Sequence, residues 1–297
     1  MRGGKMKSEE YAEFVCFNYQ LLKQTCPECK LVLGGISSRP NEYYKFYQKV
    51  IEAAKGSFDI LDFHWAGMYG DYKSLYGINF KKLVSDIKDD LKNNNTKADI
   101  WITEMSTYSG DPQDLKVINF PYQSERQQAI ELVKRYVYPL SAGVKKIFWV
   151  KIIEWYGFAR KINGFYDNTG LVNNPLAEGD SSGKLSFYTY KKMIEVLDGS
   201  DWNNIQTIQE KDGIYIYKFT KNGKPIWVAW NDNAEKKEIT ISDITPNQFL
   251  ITAAVPNFES GKEIMDYNTA FETEKKVVLE GSVTINIADS PIYIEML

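Results

Sequence analysis

Apolar positions follow two regimes along the chain, and the switch comes near Asn204. Before it, helical spacing alternates with short apolar runs. Tyr11, Phe14, Val15, Leu21 and Leu22 mark a first helix, with Ser8 as its expected N-cap. Leu31-Val32-Leu33 reads as a strand stopped by Gly34-Gly35. Tyr43, Phe46, Tyr47, Val50 and Ala54 predict a second amphipathic helix, ended by Gly56. Phe58 to His64 reads as the next strand. Phe80, Leu83, Val84, Ile87 and Leu91 mark a third helix, closed by Asn93-Asn94-Asn95. Ile100 to Glu104 is a third strand. Ser124 and Gln127 form a capping-box pattern ahead of Ala129, Val133, Tyr136, Val137 and Leu140, with Gly143 as a fitting C′ residue. Lys146 to Trp155 is the fourth strand. A loop rich in Gly, Asn and Asp runs from Gly164 to Gly183, and Phe187, Tyr190, Ile194 and Leu197 mark a last helix.

After the switch the period drops to two. Gly213 to Phe219 alternates, Asn222-Gly223 is a hairpin signal, and Pro225 to Trp230 returns. Further short strands are expected at Lys237–Ile241, Phe249–Ala253, Lys276–Leu279, Val283–Ile287 and Ile292–Glu295. The expected fold class is therefore α/β: about four strand–helix units of a parallel barrel over residues 1–204, then an all-β sandwich over 205–297. A closed barrel of this kind needs eight units, so the chain holds half of one.

Composition narrows the function. The 297 residues carry a net charge of -3, which marks neither a nucleic-acid binder nor a polybasic membrane binder. No apolar run is long enough to span a bilayer, and the first seven residues lack the apolar stretch of a signal peptide. The compartment stays open, because a leader would precede Met1. Seven Trp and twenty Tyr suit both a large core and a sugar-binding cleft.

Three cysteines argue against a disulfide framework. Cys26-Pro27-Glu28-Cys29 reads as a loop between a helix and a strand. Its sharper readings are a redox pair or half a zinc site, but His64 is the only histidine, so a tetrahedral site lacks ligands. No metal and no organic cofactor is expected.

The residue with most chemical content is Glu104. It ends the run Asp99-Ile100-Trp101-Ile102-Thr103, and a carboxylate at the carboxyl end of a buried parallel strand sits where a (β/α)8 barrel does its chemistry. His64 shares parity with Asp62 and Ile60, so the three face one way. A buried Asp62 requires a hydrogen-bond partner and reads as structural support.

These segments together resemble the carboxyl-terminal half of a clan A glycoside hydrolase, closest in layout to the family 39 xylosidase and iduronidase group. Leu31-Val32-Leu33-Gly34-Gly35 looks like barrel strand five, and Phe58 to His64 like strand six with its terminal histidine. Ile100-Trp101-Ile102-Thr103-Glu104 looks like strand seven with the nucleophile, and Lys146-Ile147-Phe148-Trp149 like strand eight. Asp266-Tyr267 and Pro291 to Glu295 are similar to the β-sandwich that follows such barrels.

The resemblance implies a retaining hydrolase of O-glycosidic bonds, with Glu104 as nucleophile. His64, Trp149, Trp155, Tyr69 and Glu154 are candidate substrate contacts, and Tyr72 is a further cleft candidate. It also implies an acid/base Glu at the end of strand four, usually in an Asn-Glu pair. No Asn-Glu pair lies upstream of Glu9, so the acid is expected from outside this sequence. The implied substrate is an oligo- or polysaccharide or a glycoside. The implied partner is a missing amino-terminal half-barrel or a second copy. The alternatives are a non-catalytic carbohydrate-binding or assembly module, an inactive remnant, or a thiol or metal role for Cys26 and Cys29.

Overall fold

A computed structural model of the chain describes residues 6–37, 39–113, 120–156, 164–242, 248–278 and 281–297. They form two compact units. The first holds Met1–Met105 with Ala142–Trp149, and the second holds Ser106–Ser141 with Val150–Leu297. The helices expected in the barrel after Glu104 thus share a unit with the sandwich strands.

The first unit begins with α1 (Ser8–Thr25) and β1 (Val32–Ile36). A π-helical turn, Tyr43–Tyr47, runs into α2 (Gln48–Ala54), and β2 (Ile60–Ala66) follows. A two-residue ladder of β3 (Ser74–Leu75) and β4 (Ile78–Asn79) precedes α3 (Phe80–Asn93). Then come β5 (Asp99–Ser106) and β6 (Lys146–Trp149). The sheet order is β1-β2-β5-β6, with β1 parallel to β2 and β5 parallel to β6. Spatial order matches chain order, as in successive units of a (β/α)8 barrel. Four strands make an open sheet. Among the described residues no strand pairs with the outer edge of β1 or of β6.

Local rules explain most of these elements. The Asn79 side chain accepts the Lys82 N–H at 3.0 Å and starts α3. Phe80, Leu83, Val84, Ile87 and Leu91 form its buried stripe, worth about 1.5–3 kcal/mol for each large side chain. Lys7 rather than Ser8 takes the N-cap position of helix α1, its backbone N–H donating to Glu10 Oε2 at 3.1 Å, and Ser8 becomes the first helical residue. Only part of its apolar surface is covered. Ala12 and Val15 are buried, whereas Phe14, Phe17 and Leu21 are exposed, Phe17 at 66%.

The glycines expected to stop β1 lie inside it. Strand β2 starts later than expected and runs on through Trp65, which is fully buried. β6 ends at Trp149 rather than Trp155. Beyond it Ile152 is exposed, and Ile153 makes an isolated bridge to Val172.

The second unit contains α4 (Glu125–Ser141), α5 (Pro175–Glu178) and α6 (Leu185–Leu197). Ser124 and Gln127 bond reciprocally, as their spacing required: the Gln127 N–H donates to Ser124 Oγ and the Ser124 N–H to Gln127 Oε1. Gly143 has φ +92°, fitting its expected place after the helix. α6 keeps only part of the expected face inward: Leu197 is buried and Tyr190 half-buried. Leu185, Thr189, Met193, Val196 and Leu197 are buried, and Phe187 and Ile194 are exposed.

Strands β7 (Gln206–Lys211), β8 (Ile214–Lys221), β9 (Lys224–Asn231), β10 (Lys237–Ile241) and β11 (Gln248–Ala253) follow. The last three are β12 (Thr273–Val277), β13 (Val283–Ile287) and β14 (Ile292–Met296). One sheet runs β12-β11-β14-β9-β8-β7 with antiparallel pairs, and β10 pairs antiparallel with β13 in another. Trp227, Phe249, Ile251, Ile285 and Ile294 belong to one core cluster with residues from both sheets, the mark of a β-sandwich. The Asn222-Gly223 hairpin is present, with φ +51° and +75° and Lys221 opposite Lys224. β12 starts three residues before the expected Lys276, and residue 279 of that expected strand lies outside the described residues. β7 was not expected, because its sequence Gln-Thr-Ile-Gln-Glu-Lys is polar and largely exposed.

Candidate active site

Two consecutive residues on β5 meet two alternate residues on β2. The Thr103 N–H donates to Asp62 Oδ1 at 2.9 Å, and the Thr103 hydroxyl donates to Oδ2 at 2.6 Å. Next along the chain, Glu104 Oε2 lies 3.4 Å from His64 Nδ1. The other imidazole nitrogen, Nε2, lies 3.7 Å from Asp62 Oδ2. Asp62 and His64 thus share a face, as their spacing required, and Asp62 has the partner that its burial demands.

Thr103 and Glu104 are neighbours, so strict alternation would send them to opposite faces. A bulge prevents this. In the β5–β6 ladder Ile102 pairs with Ile147 and Met105 with Trp149, so β5 carries one extra residue between those pairs. The β1–β2 ladder has a matching irregularity: Leu33 pairs with Leu61 and Ile36 with Phe63. The extra residue there falls at Gly34-Gly35. A Cβ on Gly35 would come within 2.5 Å of Asp62 Oδ2 and 2.6 Å of His64 Nε2. Two bulges, one on each flanking strand, thus frame the Asp62–His64 pair.

The electrostatics follow. The His64 pKa is raised, chiefly by the Asp62 carboxylate; partial burial opposes the rise, and the charge of Glu104 adds to it. At 3.7 and 3.4 Å both contacts are long, and Glu104 acts on the imidazole through its charge. The imidazole is half-buried, while the Glu104 side chain is 40% exposed, so its carboxylate is open to a ligand. Chemically the set offers an accessible carboxylate held beside a cation-forming imidazole.

Other candidates are placed differently. Trp149 is buried on β6, opposite Met105 in register, which is a packing position for a residue expected on a sugar platform. Tyr69 is half-buried in the loop after β2. Tyr72 is fully buried, which removes it from any cleft surface. Two more fall in the second unit. The Lys151 ammonium lies over the exposed Trp155 ring. Glu154 is paired with Lys184, whose side chain is almost fully buried and which also donates to the Asn168 carbonyl at 3.2 Å. Burial raises the Glu154 pKa and lowers that of Lys184, while the pairing opposes both shifts. A carboxylate held this way is a structural anchor and does not present itself to a sugar hydroxyl.

The sequence reading missed Thr103 and Gly35. Gly35 left a signal, a glycine inside an apolar run, but it was read as a strand terminator. Cys26–Cys29 lies between α1 and β1, as expected of a helix–strand loop, and a disulfide closes it with Cα atoms 5.3 Å apart, although the odd cysteine count argued against a disulfide framework. Among the described residues no helix is long and apolar enough to cross a membrane.

An open four-strand half of a (β/α)8 barrel, followed by a β-sandwich, defines the structural class. Within that class the fold is similar to solved glycoside hydrolases. It matches the structure of an arabinofuranosidase with a TM-score of 0.62 and 13% identity, over 99% of this chain and 63% of that one. A β-porphyranase of glycoside hydrolase family 86 from the human gut bacterium Bacteroides plebeius matches at 0.61 and 11%, over 97% and 52%. A family 30 endoxylanase from Clostridium papyrosolvens C71 matches at 0.58 and 13%, over 98% and 61%. The chain spans less than two thirds of the length of each of these structures. The likeness is to the barrel-plus-sandwich fold of glycoside hydrolases and does not single out family 39. No family model and no curated protein matches the sequence.

Proposed function

We propose that this chain supplies the nucleophile half of a retaining O-glycoside hydrolase. The observation that carries the reading is Glu104: partly exposed, near the carboxyl end of a parallel barrel strand, beside a histidine from the adjacent strand. In the double displacement Glu104 attacks the anomeric carbon and the leaving oxygen takes a proton from a second carboxylic acid. Water then breaks the glycosyl ester, with that second group as base. The two carboxyl groups must stand about 5–5.5 Å apart. Glu154 is unsuited to the second role, because it is tied to Lys184.

The acid therefore comes from a complementing half-barrel, encoded ahead of these residues or on a separate chain. The open edges of β1 and β6 suit such a partner. So do the exposed Phe14, Phe17 and Leu21 of α1. On the same sheet Trp101 and Phe148 pair at 5.9 Å, with Phe148 46% exposed, and the Lys146 ammonium caps the Trp101 ring at 4.6 Å.

The test compares Glu104→Gln with the unaltered residue in a protein carrying both halves, on a panel of aryl glycosides. Loss of turnover, with retained configuration in the unaltered enzyme, is the expected result. Equal turnover by both would end the reading.

A second reading is a non-catalytic carbohydrate-binding module. The one observation in its favour is the engagement of Glu154, which leaves the chain without the second strand-end carboxylate considered for the chemistry. Saturable sugar binding by the chain, unchanged in Glu104→Gln and without turnover in the completed barrel, would favour it.

A further inference from the structure

We infer that Asp62, clamped by Thr103 and given room by Gly35, is the positioning residue of this site: it holds the His64 imidazole as a cation with Nδ1 turned to Glu104. The inference rests on the reading of Glu104 as the reacting carboxylate, but its physical content can be measured without turnover.

The geometry is specific. Asp62 is 4% exposed and accepts two hydrogen bonds from Thr103, one backbone and one hydroxyl, so its carboxylate is fixed in plane and depth. Its Oδ2 oxygen faces His64 Nε2, which leaves Nδ1 for Glu104. An imidazole between two carboxylates is favoured as the doubly protonated cation, since each nitrogen then presents an N–H to an acceptor. Gly35 is the third member. Any side chain there would occupy the space of Asp62 Oδ2 and His64 Nε2. The bulges on β1 and β5 serve the same end, because they bring Gly35 and the Thr103–Glu104 pair against one face of β2.

Among the described residues the charged groups around His64 are few. Asp62 comes from its own strand and Glu104 from β5. β1 brings Gly35 against the ring and carries no charged residue. Tyr47, whose hydroxyl donates to the Gly35 carbonyl at 3.4 Å, has its phenol pushed up to about 12, chiefly by burial, and stays neutral.

His64 is the only histidine of the chain, so its ring resonance in a proton NMR titration needs no assignment. The expected midpoint for the full chain lies above the free imidazole value of about 6.5. Asp62→Asn keeps an acceptor for Thr103 and removes the charge, and its midpoint moves to lower pH. Gly35→Ala forces the pair apart, and its midpoint moves the same way. An unaltered protein that titrates at or below the free value overturns the inference without any variant. So does a midpoint that neither substitution moves.

In the completed barrel, Asp62→Asn lowers kcat more than it changes KM and shifts the basic limb of the pH profile to lower pH. The two readings fail separately. A moved midpoint with full turnover by Glu104→Gln would remove the glycosidase reading and leave the positioning set standing. An unmoved midpoint with a dead Glu104→Gln would do the reverse.

Discussion

Thr103 donates both its backbone N–H and its hydroxyl to the carboxylate of Asp62, tying β5 to β2 one residue before Glu104. The hydroxyl bond reaches a buried ionisable group, the setting in which a side-chain hydrogen bond is worth about 1.5–3 kcal/mol. Thr103→Val keeps the branched shape and removes the donor. Urea unfolding is expected to show a loss of that size, and Thr103→Ser is expected to recover most of it. Equal midpoints for Val and Ser would show that the hydroxyl contributes nothing.

Turnover by the completed barrel is expected to fall by about 10⁴-fold or more in Glu104→Gln, the scale seen when a nucleophile is removed from a hydrolase. The amide is isosteric, so substrate affinity should change little. Steady-state kinetics on an aryl glycoside separate the two effects.

Lys184 and Glu154 form a buried ion pair within the second unit. Lys184→Met leaves the largely buried Glu154 without its cation, and the expected cost is about 3 kcal/mol, the low end for a buried pair. The double variant Lys184→Met with Glu154→Leu removes both charges and is expected to regain most of that loss. Thermal denaturation of the two single variants and the double one forms the cycle that measures the coupling.

His64 makes stability depend on pH in a defined direction. Its folded-state pKa is raised, so the folded state binds the proton more tightly than the unfolded chain does. The resulting stabilisation is fully present below the unfolded value of about 6.5 and is lost as pH rises through the folded-state value. Urea midpoints measured from about pH 5 to about pH 9 should fall across that window relative to His64→Gln, which lacks the titration. A difference between the two proteins that stays flat with pH would contradict the arrangement.

The Cys26–Cys29 disulfide closes a very short loop, so its expected contribution is small: about 2 kcal/mol or less by chain entropy. The Cys26→Ser, Cys29→Ser double variant should therefore fold as before, and should leave the proposed turnover by the completed barrel unchanged. Loss of function in that variant, with stability intact, would restore the thiol role that the C-x-x-C spacing first raised.

The chain's periodicities determined its class. Helical stripes alternating with short apolar runs specify parallel strand–helix units, and period-two runs with Asn222-Gly223 specify the antiparallel sandwich, because these patterns are set by local backbone geometry. Glu104, His64 and Asp62 were legible as candidates for the same reason: strand parity and strand-end position are local properties.

What only the tertiary structure decided is how these residues meet. The bulges at Gly34-Gly35 and Thr103-Glu104 exist only as a mismatch between paired strands, and a single strand's sequence does not encode its partner's register. The inward face of α6 and the capture of Glu154 by Lys184 likewise depend on which neighbours pack against them. Burial is a property of the assembled fold, and it separates an accessible carboxylate such as Glu104 from one held by a buried lysine.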